Sequence, residues 1–323
     1  MLKNFMAETI KISIALAAYN GSRFIAEQLR SLLQQTRVPD EIIITDDSDD
    51  DQTFAAVKPF LSDPRIVYYK NETALNVSGN FAKAISLTRG EVIFLCDQDD
   101  VWLPGKVEKL YTILQENPDI DGVFCNSELV NAELSGLGIT LYDRRKFSNA
   151  MQKQLNSGEA LKVFLKRVTC SSHNIAFKRR ALGYIMPLPE LAPFYPDTFI
   201  GLSIAADSSW RAVPECLTLY RIHSNNESAP KSGNLTAAAR ARANRAAWRS
   251  AQLAEIIIAR ANGKLPAGKL RMLQKFAAFQ KKRDAYSKNL FLRTVQVFFQ
   301  AVKWNYCRFA NGFRTMIADI LIR

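Results

Sequence analysis

Three carboxylates follow a short apolar run in the first third of the chain. Residues 91–102 read EVIFLCDQDDVW, so Asp97, Asp99 and Asp100 come directly after the apolar residues. A short run rich in β-branched and aromatic residues predicts a buried parallel strand, and open α/β sheets bind ligands at the carboxyl ends of such strands. Clustered carboxylates repel one another unless a cation lies between them, and Mg²⁺ binds one or two carboxylates together with phosphate oxygens. The stretch therefore indicates a metal and diphosphate site; the alternative is a solvated acidic loop that caps the next helix.

A second acidic run favours the ligand-binding interpretation. Residues 41–45 are mostly apolar and end in DDSDDD at residues 46–51. Strand-like and helix-like patterns alternate around both runs, which predicts βαβ units and a parallel sheet. Because the carboxyl ends of parallel strands share one edge of the sheet, both acidic runs are expected to face one ligand. The predicted strands are residues 12–18, 41–45, 66–69 and the run after Glu91, and the predicted helices are residues 24–38, 53–61, 76–88 and 103–116.

Five spaced motifs in this order resemble family-2 glycosyltransferases with the GT-A fold, above all the bacterial rhamnosyltransferase-like subset. The motifs are AYNG at residues 18–21, DDSDDDQT at 46–53, Asn76 with Asn80, RG at 89–90 and FLCDQDDVW at 94–102. The resemblance extends over about residues 10–229, and one departure is Asp49, where the family more often has Ser. It implies an α/β, GT-A-like nucleotide-sugar-binding fold with a mostly parallel central sheet, followed by a helical basic segment.

The resemblance also implies roles for the motif residues. Tyr19 would bracket the nucleotide base, and either Asp46 or Asp47 would accept a hydrogen bond from the N3–H of uracil or thymine, since an ionised carboxylate is only an acceptor. Asp97 would face the ribose, and Asp99 would bind Mn²⁺ or Mg²⁺ at the diphosphate. Asp100 has an open alternative as the cap of the helix over 103–116. The nucleotide-sugar-binding set implied by the motifs is Ala18, Tyr19, Asn20, Asp46, Asp47, Asp97, Gln98 and Arg221.

Residues in the second half complete the site that the resemblance implies. Asp197 falls at the position of the catalytic base, which takes the proton of the acceptor hydroxyl; the alternative is a helix cap. His223 lies in YRIHSNN at 220–226 and would complete the metal site, while Arg221 would bind the diphosphate. His173 and Asn174 would lie on the acceptor side, although an ordinary hydrogen-bonded histidine fits the pattern of His173 equally well. Residues 134–160 are polar and basic with little periodicity, which predicts a mobile loop over the site.

Charge divides the chain in two near Pro230. Residues 230–323 hold 19 Lys and Arg against 3 Asp and Glu, a net charge of +16, whereas the remaining 24 and 28 give −4. We therefore predict a catalytic domain over 1–229 and a helical basic segment over 230–323. Within the segment, seven apolar residues fall on one helical stripe, which favours contact with an anionic membrane surface over a helix packed on the domain. The stripe residues are Phe291, Val295, Phe298, Val302, Phe309, Phe313 and Ile320.

Composition indicates the cellular compartment of the protein and excludes some classes of partner. Five scattered cysteines without a Cys-x-x-Cys pair argue against a zinc site or disulfide framework and are typical of the reducing cytosol. No run of about 18 uncharged apolar residues is present, and the apolar run at 12–18 predicts a strand, so neither a transmembrane span nor a signal peptide is expected. The basic segment lacks known nucleic-acid-binding motifs, so no nucleic-acid partner is expected. We expect a cytoplasmic protein that is peripheral on the inner face of the cell membrane and contacts the membrane through residues 290–323.

Together with the acidic runs, the resemblance implies an inverting, metal-dependent glycosyltransferase. It would move a sugar from a UDP- or dTDP-sugar donor to a hydroxyl of a saccharide or lipid-linked acceptor, and the resemblance implies a role in bacterial surface polysaccharide synthesis. One alternative is a nucleotidyltransferase, which would normally carry a Gly-rich N-terminal loop with a basic residue; residues 17–22 lack that pattern. The other is a non-catalytic, membrane-bound nucleotide-sugar binder, which would bind without turnover.

Overall fold

A computed structural model describes residues 11–189, 196–224, 226, 235–286 and 289–321 of the chain. The boundary predicted near Pro230 lies outside these residues. Nine strands in the described part form one sheet, in the order β3-β2-β1-β4-β8-β6-β9-β5, with β7 paired to β6. The strands are β1 Ile12–Ala18, β2 Glu41–Asp46, β3 Ile66–Lys70, β4 Val92–Asp97, β5 Val101–Trp102, β6 Gly122–Val130, β7 Gly136–Thr140, β8 Ile175–Lys178 and β9 Trp210–Arg221.

The sheet is mixed but mostly parallel, as predicted. β1 pairs in parallel with β2 and β4, β2 with β3, and β6 with β9, whereas β8 runs antiparallel between β4 and β6. The central strands are buried on both faces, which explains their continuous apolar sequence. Successive side chains of a strand point to opposite faces, so Ile14 and Leu16 enter the core on one side of the sheet and Ala15 the core on the other.

Helices cover the sheet and continue into the basic segment. The break predicted near residues 263–268 is present, between the tenth and eleventh helices. None of the helices in the described part of the chain is long and apolar enough to cross a bilayer. The helices are α1 Ile25–Leu33, α2 Gln52–Val57, α3 Asn76–Leu87, α4 Lys106–Glu116, α5 Leu141–Arg144, α6 Asn149–Gln154, α7 Ala160–Lys166, α8 Leu182–Ile185, α9 Pro196–Asp207, α10 Leu235–Ala261, α11 Ala267–Asp284, α12 Leu290–Val302, α13 Asn305–Phe309 and α14 Phe313–Leu321.

The prediction of a mobile loop over 134–160 is wrong. This segment contains β7, α5, α6 and the first residue of α7. Tyr142, Phe147 and Leu155 are buried and anchor it in the core. Their spacing follows neither a single helix nor a single strand, because the segment changes structure every few residues, and this explains why no periodicity is visible in the sequence.

The final basic stretch is not one continuous helix. It breaks at Trp304, which has a left-handed backbone with φ of 57°, and again before Gly312, with φ of 58°. The predicted stripe is therefore divided: Phe291 and Phe298 are exposed on α12, whereas Phe309 on α13 is buried. Phe309 packs in the same core as Phe124 of β6 and Phe199 of α9, so the end of the chain shares a core with the sheet.

Candidate active site

The carboxyl ends of three adjacent strands bring the two acidic runs together. Ala18 at the end of β1 pairs with Asp46 at the end of β2, and Ala17 pairs with Asp97 at the end of β4. This register follows from parallel pairing of the three apolar runs. It places the AYNG turn between the two groups of carboxylates at one edge of the sheet.

The AYNG turn is fixed by the side-chain amide of Gln98. This amide accepts from the Tyr19 backbone N–H at 2.8 Å and donates to the Tyr19 carbonyl at 2.7 Å, while Tyr19 as a whole residue is 55% exposed. Asn20 has a left-handed backbone, and its N–H donates to Ser48 Oγ. A Cβ at Gly21 would lie 2.0 Å from Gln98 Oε1, so only glycine leaves room for the amide. The turn therefore presents an exposed aromatic ring on a rigid backbone.

The two carboxylates after β2 differ in their surroundings. Asp46 is fully buried and accepts from the Ser48 N–H at 2.9 Å and the Tyr68 hydroxyl at 2.6 Å. Asp47 is 5% exposed and accepts from Asn71 Nδ2 at 2.5 Å and the Leu75 N–H at 3.1 Å. Asp46 thus ties β2 to the loop and to β3. Asp47 is the member of this pair that retains some exposed surface.

Asp97, Asp100 and His173 form a cluster beneath this edge that can hold a metal ion. One ligand atom from each lies within 4.8 Å of the others, and His173 Nδ1 is 3.8 Å from Asp97 Oδ2 and 3.9 Å from Asp100 Oδ2. Asp100 Oδ2 is buried without a hydrogen-bond partner. Buried polar atoms normally have one, so this oxygen marks a place for a cation or a proton. Two carboxylates and an imidazole suit Mn²⁺, and the carboxylates also suit Mg²⁺.

The alternative role of Asp100 as a helix cap is wrong. Helix α4 begins at Lys106, and its N-cap residue is Gly105, so Asp100 lies outside the first turn. Instead, Asp100 Oδ1 accepts from the Arg221 backbone N–H at 2.9 Å and joins the DQDD turn to β9. The short strand β5 separates Asp100 from the helix, and the sequence pattern did not reveal it.

Burial and mutual repulsion disfavour the charged forms of the carboxylates in this cluster. Burial and the Asp99 charge raise the pKa of Asp97 to about 7, although the Ser172 hydroxyl, which donates to both Asp97 oxygens at 2.8 Å, opposes the shift. Burial and the charges of Asp99 and Asp97 raise the pKa of Asp100 as well. Burial, with the charge of Lys106, holds the pKa of His173 well below its usual range, so the imidazole is neutral. A divalent cation would favour the ionised carboxylates and the neutral imidazole.

A buried lysine that the sequence reasoning missed supports this cluster. Lys106 Nζ donates to the His173 carbonyl at 2.6 Å and to Thr218 Oγ1 at 2.9 Å, and it lies 3.5 Å from the centre of the Trp102 ring. Burial lowers its pKa to about 8. Its position in the first turn of an amphipathic helix looks like a solvated charge in the sequence, and only tertiary packing places it under the carboxylates.

Asp99, whose charge acts on Asp97, lies against His223 and Asn226. His223 Nε2 is 2.9 Å from Asp99 Oδ2, and Asn226 Nδ2 lies 3.3 Å from the same oxygen. Asp99 and His223 are separated by 124 residues in the chain, and β9 returns to the DQDD turn so that they meet. The two residues that the resemblance named as metal ligands are therefore neighbours in space.

The guanidinium of Arg221 is buried and hydrogen-bonded to other groups of the protein. The side chain is 2% exposed; Nε donates to the Asp99 carbonyl at 2.8 Å, Nη1 to the Ala132 carbonyl and Nη2 to Glu27 Oε2 at 2.5 Å. The guanidinium also lies 4.5 Å from the centre of the Phe24 ring. Each guanidinium nitrogen thus has a protein acceptor, and these contacts join Arg221 to the backbone of Asp99 and Ala132. The contact between Arg221 and the diphosphate stays a prediction.

Asp197 lies in the first turn of α9, close enough to Asp97 for the two charges to interact. Its charge contributes to the raised pKa of Asp97. Burial raises the pKa of Asp197 itself, and the Arg145 charge partly offsets that shift. Arg145, from the segment predicted to be a loop, also donates to the Cys170 carbonyl at 2.7 Å and to Ser171 Oγ, which orders the turn before His173.

The predicted acceptor-side residues lie inside the protein. His173 stacks on Tyr220 with ring centres 4.3 Å apart, and its Nε2 is 3.1 Å from Ser127 Oγ. Asn174 is fully buried, where it donates to the Cys125 carbonyl and accepts from the Ser171 N–H. Asn174 thus has no surface for an acceptor, and His173 belongs to the carboxylate cluster.

Sequence comparison identifies the relatives of the chain. The model of the family described as Glycosyl transferase family 2 matches residues 13–185. An Escherichia coli protein named UDP-Glc:alpha-D-GlcNAc-diphosphoundecaprenol beta-1,3-glucosyltransferase WfgD is 28% identical over 174 residues, which are 54% of this chain and 67% of that protein. The matches to three further curated relatives span between 40% and 66% of their lengths.

Structure comparison shows the same fold in solved proteins. TarS of S. aureus in complex with UDP-GlcNAc aligns with a TM-score of 0.61 at 16% identity, covering 91% of this chain and 82% of TarS 1-349. The mannosyltransferase PcManGT from Pyrobaculum calidifontis, in complex with GDP-Man and Mn²⁺, aligns with a TM-score of 0.54 at 18% identity, covering 98% and 86%. At these identities the likeness establishes the fold, which is GT-A.

Proposed function

Since this chain belongs to glycosyl transferase family 2, we propose that it transfers a sugar, with inversion, from a UDP- or dTDP-sugar to an acceptor hydroxyl. One observation carries the proposal. The carboxyl ends of β1, β2 and β4 bring an exposed tyrosine and two groups of carboxylates to one edge of the sheet, where His173, just before β8, and His223, just after β9, meet the carboxylates. A nucleotide diphosphate needs an aromatic surface, polar acceptors and a cation, and this edge offers a place for each.

The metal would be held by Asp99 and His223, with Mn²⁺ or Mg²⁺ as the ion. These two side chains are adjacent and each keeps some exposed surface, whereas Asp100 and His173 are almost fully buried. When bound, the ion supplies a Lewis acid that stabilises the leaving diphosphate. Asp97, Asp100 and His173 form the adjoining donor set, and the buried Asp100 oxygen without a hydrogen-bond partner supports a cation at this edge.

The remaining roles belong to side chains of the chain itself. Tyr19 would flank the base on a turn held by Gln98, and Asp47 would accept from the base N3–H, since Asp46 is fully buried. Asp197 would take the proton of the acceptor hydroxyl as its oxygen attacks the anomeric carbon. Burial raises the pKa of Asp197, which makes the carboxylate a stronger base than an exposed one.

We propose a lipid-linked saccharide as the acceptor and bacterial surface polysaccharide synthesis as the pathway. The name of the E. coli relative specifies a diphosphoundecaprenol-linked acceptor, and this supports an acceptor of similar class here. Such an acceptor would place the protein on the inner face of the cell membrane. In the same proposal, residues 1–229 form the catalytic domain, and residues 230–323 form the basic segment that contacts the membrane.

A donor screen with product analysis tests the proposal. Purified protein is incubated with a panel of UDP- and dTDP-sugars and Mn²⁺, and released nucleotide diphosphate is separated from pyrophosphate. Release of nucleotide diphosphate supports a glycosyltransferase. In a parallel incubation with nucleoside triphosphates and sugar 1-phosphates, release of pyrophosphate with formation of a nucleotide-sugar would instead indicate a nucleotidyltransferase. Binding of donors without any turnover, with acceptor extract present, would favour the non-catalytic binder.

The metal assignment has a separate test. Asp99→Ala should abolish the Mn²⁺-dependent part of UDP binding, because the ion loses a carboxylate ligand while Asp97 and Asp100 remain. Calorimetric titration with UDP, with and without Mn²⁺, measures this. Glu116→Ala, which removes an exposed carboxylate at the end of α4, is the matched control and should bind like the parent protein. An unchanged response to Mn²⁺ in Asp99→Ala would contradict the role of Asp99.

A further inference from the structure

Helix α12 is oriented with its apolar side outward. Phe291 and Phe298 are 75% and 63% exposed, and Phe299, Val302 and Leu290 are more than half exposed. At 100° per residue these five side chains fall within one half of the helix circumference. We call them the α12 apolar face. Large exposed apolar patches on folded proteins mark interaction surfaces.

The opposite side of α12, which faces the protein, carries polar side chains. Arg293 and Gln300 are buried there together with Val297. Arg293 Nε donates to the Ile320 carbonyl at 2.9 Å, and this bond attaches α12 to α14. A helix that packed on the catalytic domain through its apolar residues would show the reverse arrangement. The packed-helix alternative from the sequence therefore does not describe this face.

Charge around the α12 apolar face indicates which partner it fits. Lys303 and Arg308 are exposed in the turn and helix that follow, and Trp304 between them is 67% exposed. The single acidic residue between positions 289 and 321 of the described chain is Asp319, which is buried and paired with Arg283 at 2.6 Å. An apolar helix face flanked by cations and by an exposed tryptophan matches the boundary between acyl chains and anionic headgroups.

We propose that the α12 apolar face lies in the surface of an anionic lipid bilayer. A second copy of the chain is a poorer partner, because two such faces would bring like charges together without exposed carboxylates to offset them. The inference rests on the proposed peripheral location and names the surface responsible for it. It does not depend on sugar transfer, since bilayer binding is measured without donor or acceptor.

The α12 apolar face belongs to the same folded body as the site. Tyr306 and Phe309 of α13 are buried in the core that contains Phe164 of α7 and Phe199 of α9. Helix α9 also carries Asp197. A bilayer bound through α12 would therefore hold α9, which carries the proposed base, at a fixed position relative to the lipid surface, and this suits an acceptor anchored in that surface.

Vesicle co-sedimentation of the full chain tests the proposal. One set of vesicles contains equal parts of phosphatidylcholine and phosphatidylglycerol, and the other contains phosphatidylcholine alone. The protein should sediment with the anionic vesicles, and binding should weaken but persist as salt rises, because only the electrostatic contribution is screened. Protein that stays in the supernatant with anionic vesicles at low salt would overturn the proposal.

Matched variants locate the binding surface. Phe291→Ser combined with Phe298→Ser should lower the partition coefficient roughly tenfold or more, as expected when two phenyl rings no longer enter the bilayer. Trp248→Ser removes an aromatic side chain that is 45% exposed on α10 and should leave binding within a factor of about two. Equal losses in both variants would place the contact elsewhere and overturn the assignment.

Two further measurements test whether the double variant is folded and whether the parent protein self-associates. Circular dichroism and UDP titration show whether the double variant is folded; a folded variant that has lost vesicle binding supports the proposal whatever the outcome of the donor screen. Sedimentation velocity shows whether the parent protein self-associates. A dimer that the double variant abolishes, without vesicle binding by the parent, would identify the α12 apolar face as a contact between copies and refute the lipid partner.

Discussion

Arg221→Lys separates two roles for the arginine of the YRIH motif. The sequence pattern assigns Arg221 to the diphosphate, whereas the structure has its guanidinium donating to Asp99, Ala132 and Glu27. Lysine keeps the charge and most of the aliphatic chain but has one nitrogen at its end. It can therefore reach the position of only one of the three guanidinium nitrogens.

The loss of stability expected for Arg221→Lys follows from these three hydrogen bonds. Hydrogen bonds from charged donors contribute about 1.5–3 kcal/mol each, and the substitution loses two of the three. The Glu27 carboxylate is 44% exposed and regains water, so its bond contributes least. The carbonyls of Asp99 and Ala132 account for most of the loss. We expect the free energy of unfolding to fall by roughly 2–4 kcal/mol.

Urea denaturation and UDP titration with Mn²⁺ provide the two measurements. Arg23→Lys is the matched control, because Arg23 is two-thirds exposed and pairs with Glu133 at 3.6 Å on the surface; its effect should stay within about 0.5 kcal/mol. Lost stability with weakened Mn²⁺-dependent binding supports a positioning role, since Arg221 holds the backbone of Asp99. Unchanged stability with lost UDP binding would refute this reasoning and support the direct diphosphate contact.

Two further substitutions test individual residues of the site. Asp197→Asn should lower turnover roughly a hundredfold or more while leaving UDP affinity unchanged, as expected for loss of a general base; because burial raises the pKa of Asp197, the parent rate should fall on acidification at a higher pH than an exposed carboxylate would give. Turnover within a factor of about three of the parent would make Asp197 a helix-cap residue. Gly21→Ala should weaken UDP binding, since the added Cβ would collide with Gln98 and release Tyr19. Gly183→Ala, where nothing lies within 4 Å of the added atom, is its control; equal affinity in both would contradict the role of the turn.

The strands and helices in the first half of the fold could be predicted from the sequence, because the apolar runs and helical spacing that indicate them are local. The strand over Ile12–Ala18 matches the prediction at both ends, and the helix predicted to start at Asn76 does start there. Continuous apolar runs identify buried parallel strands, and parallel pairing places their carboxyl ends together. The position of Asp46 and Asp97 at one edge of the sheet was therefore predictable. Family membership was also predictable, because several ordered motifs carry it.

The resemblance named Asp99 and His223 as one site, but only the tertiary structure shows which contacts bring residues distant in the chain together. Asp99 meets His223 because β9 returns along β6 and pairs with β5, and strand pairing across more than a hundred residues leaves no local pattern. The burial of Lys106 beneath the carboxylates and the capture of Arg221 by carbonyl groups are also packing outcomes. In the sequence, both look like ordinary cations.

Helix α12 illustrates most clearly which features the sequence determines and which depend on the tertiary structure. Helical periodicity in the sequence determined that Phe291 and Phe298 share one side of a helix, since that follows from 3.6 residues per turn. It did not determine which side would face the protein. The orientation of α12 depends on the hydrogen bond from Arg293 to the Ile320 carbonyl and on the burial of Phe309 in the core. Both contacts join segments that are distant in the sequence and meet only in the folded chain.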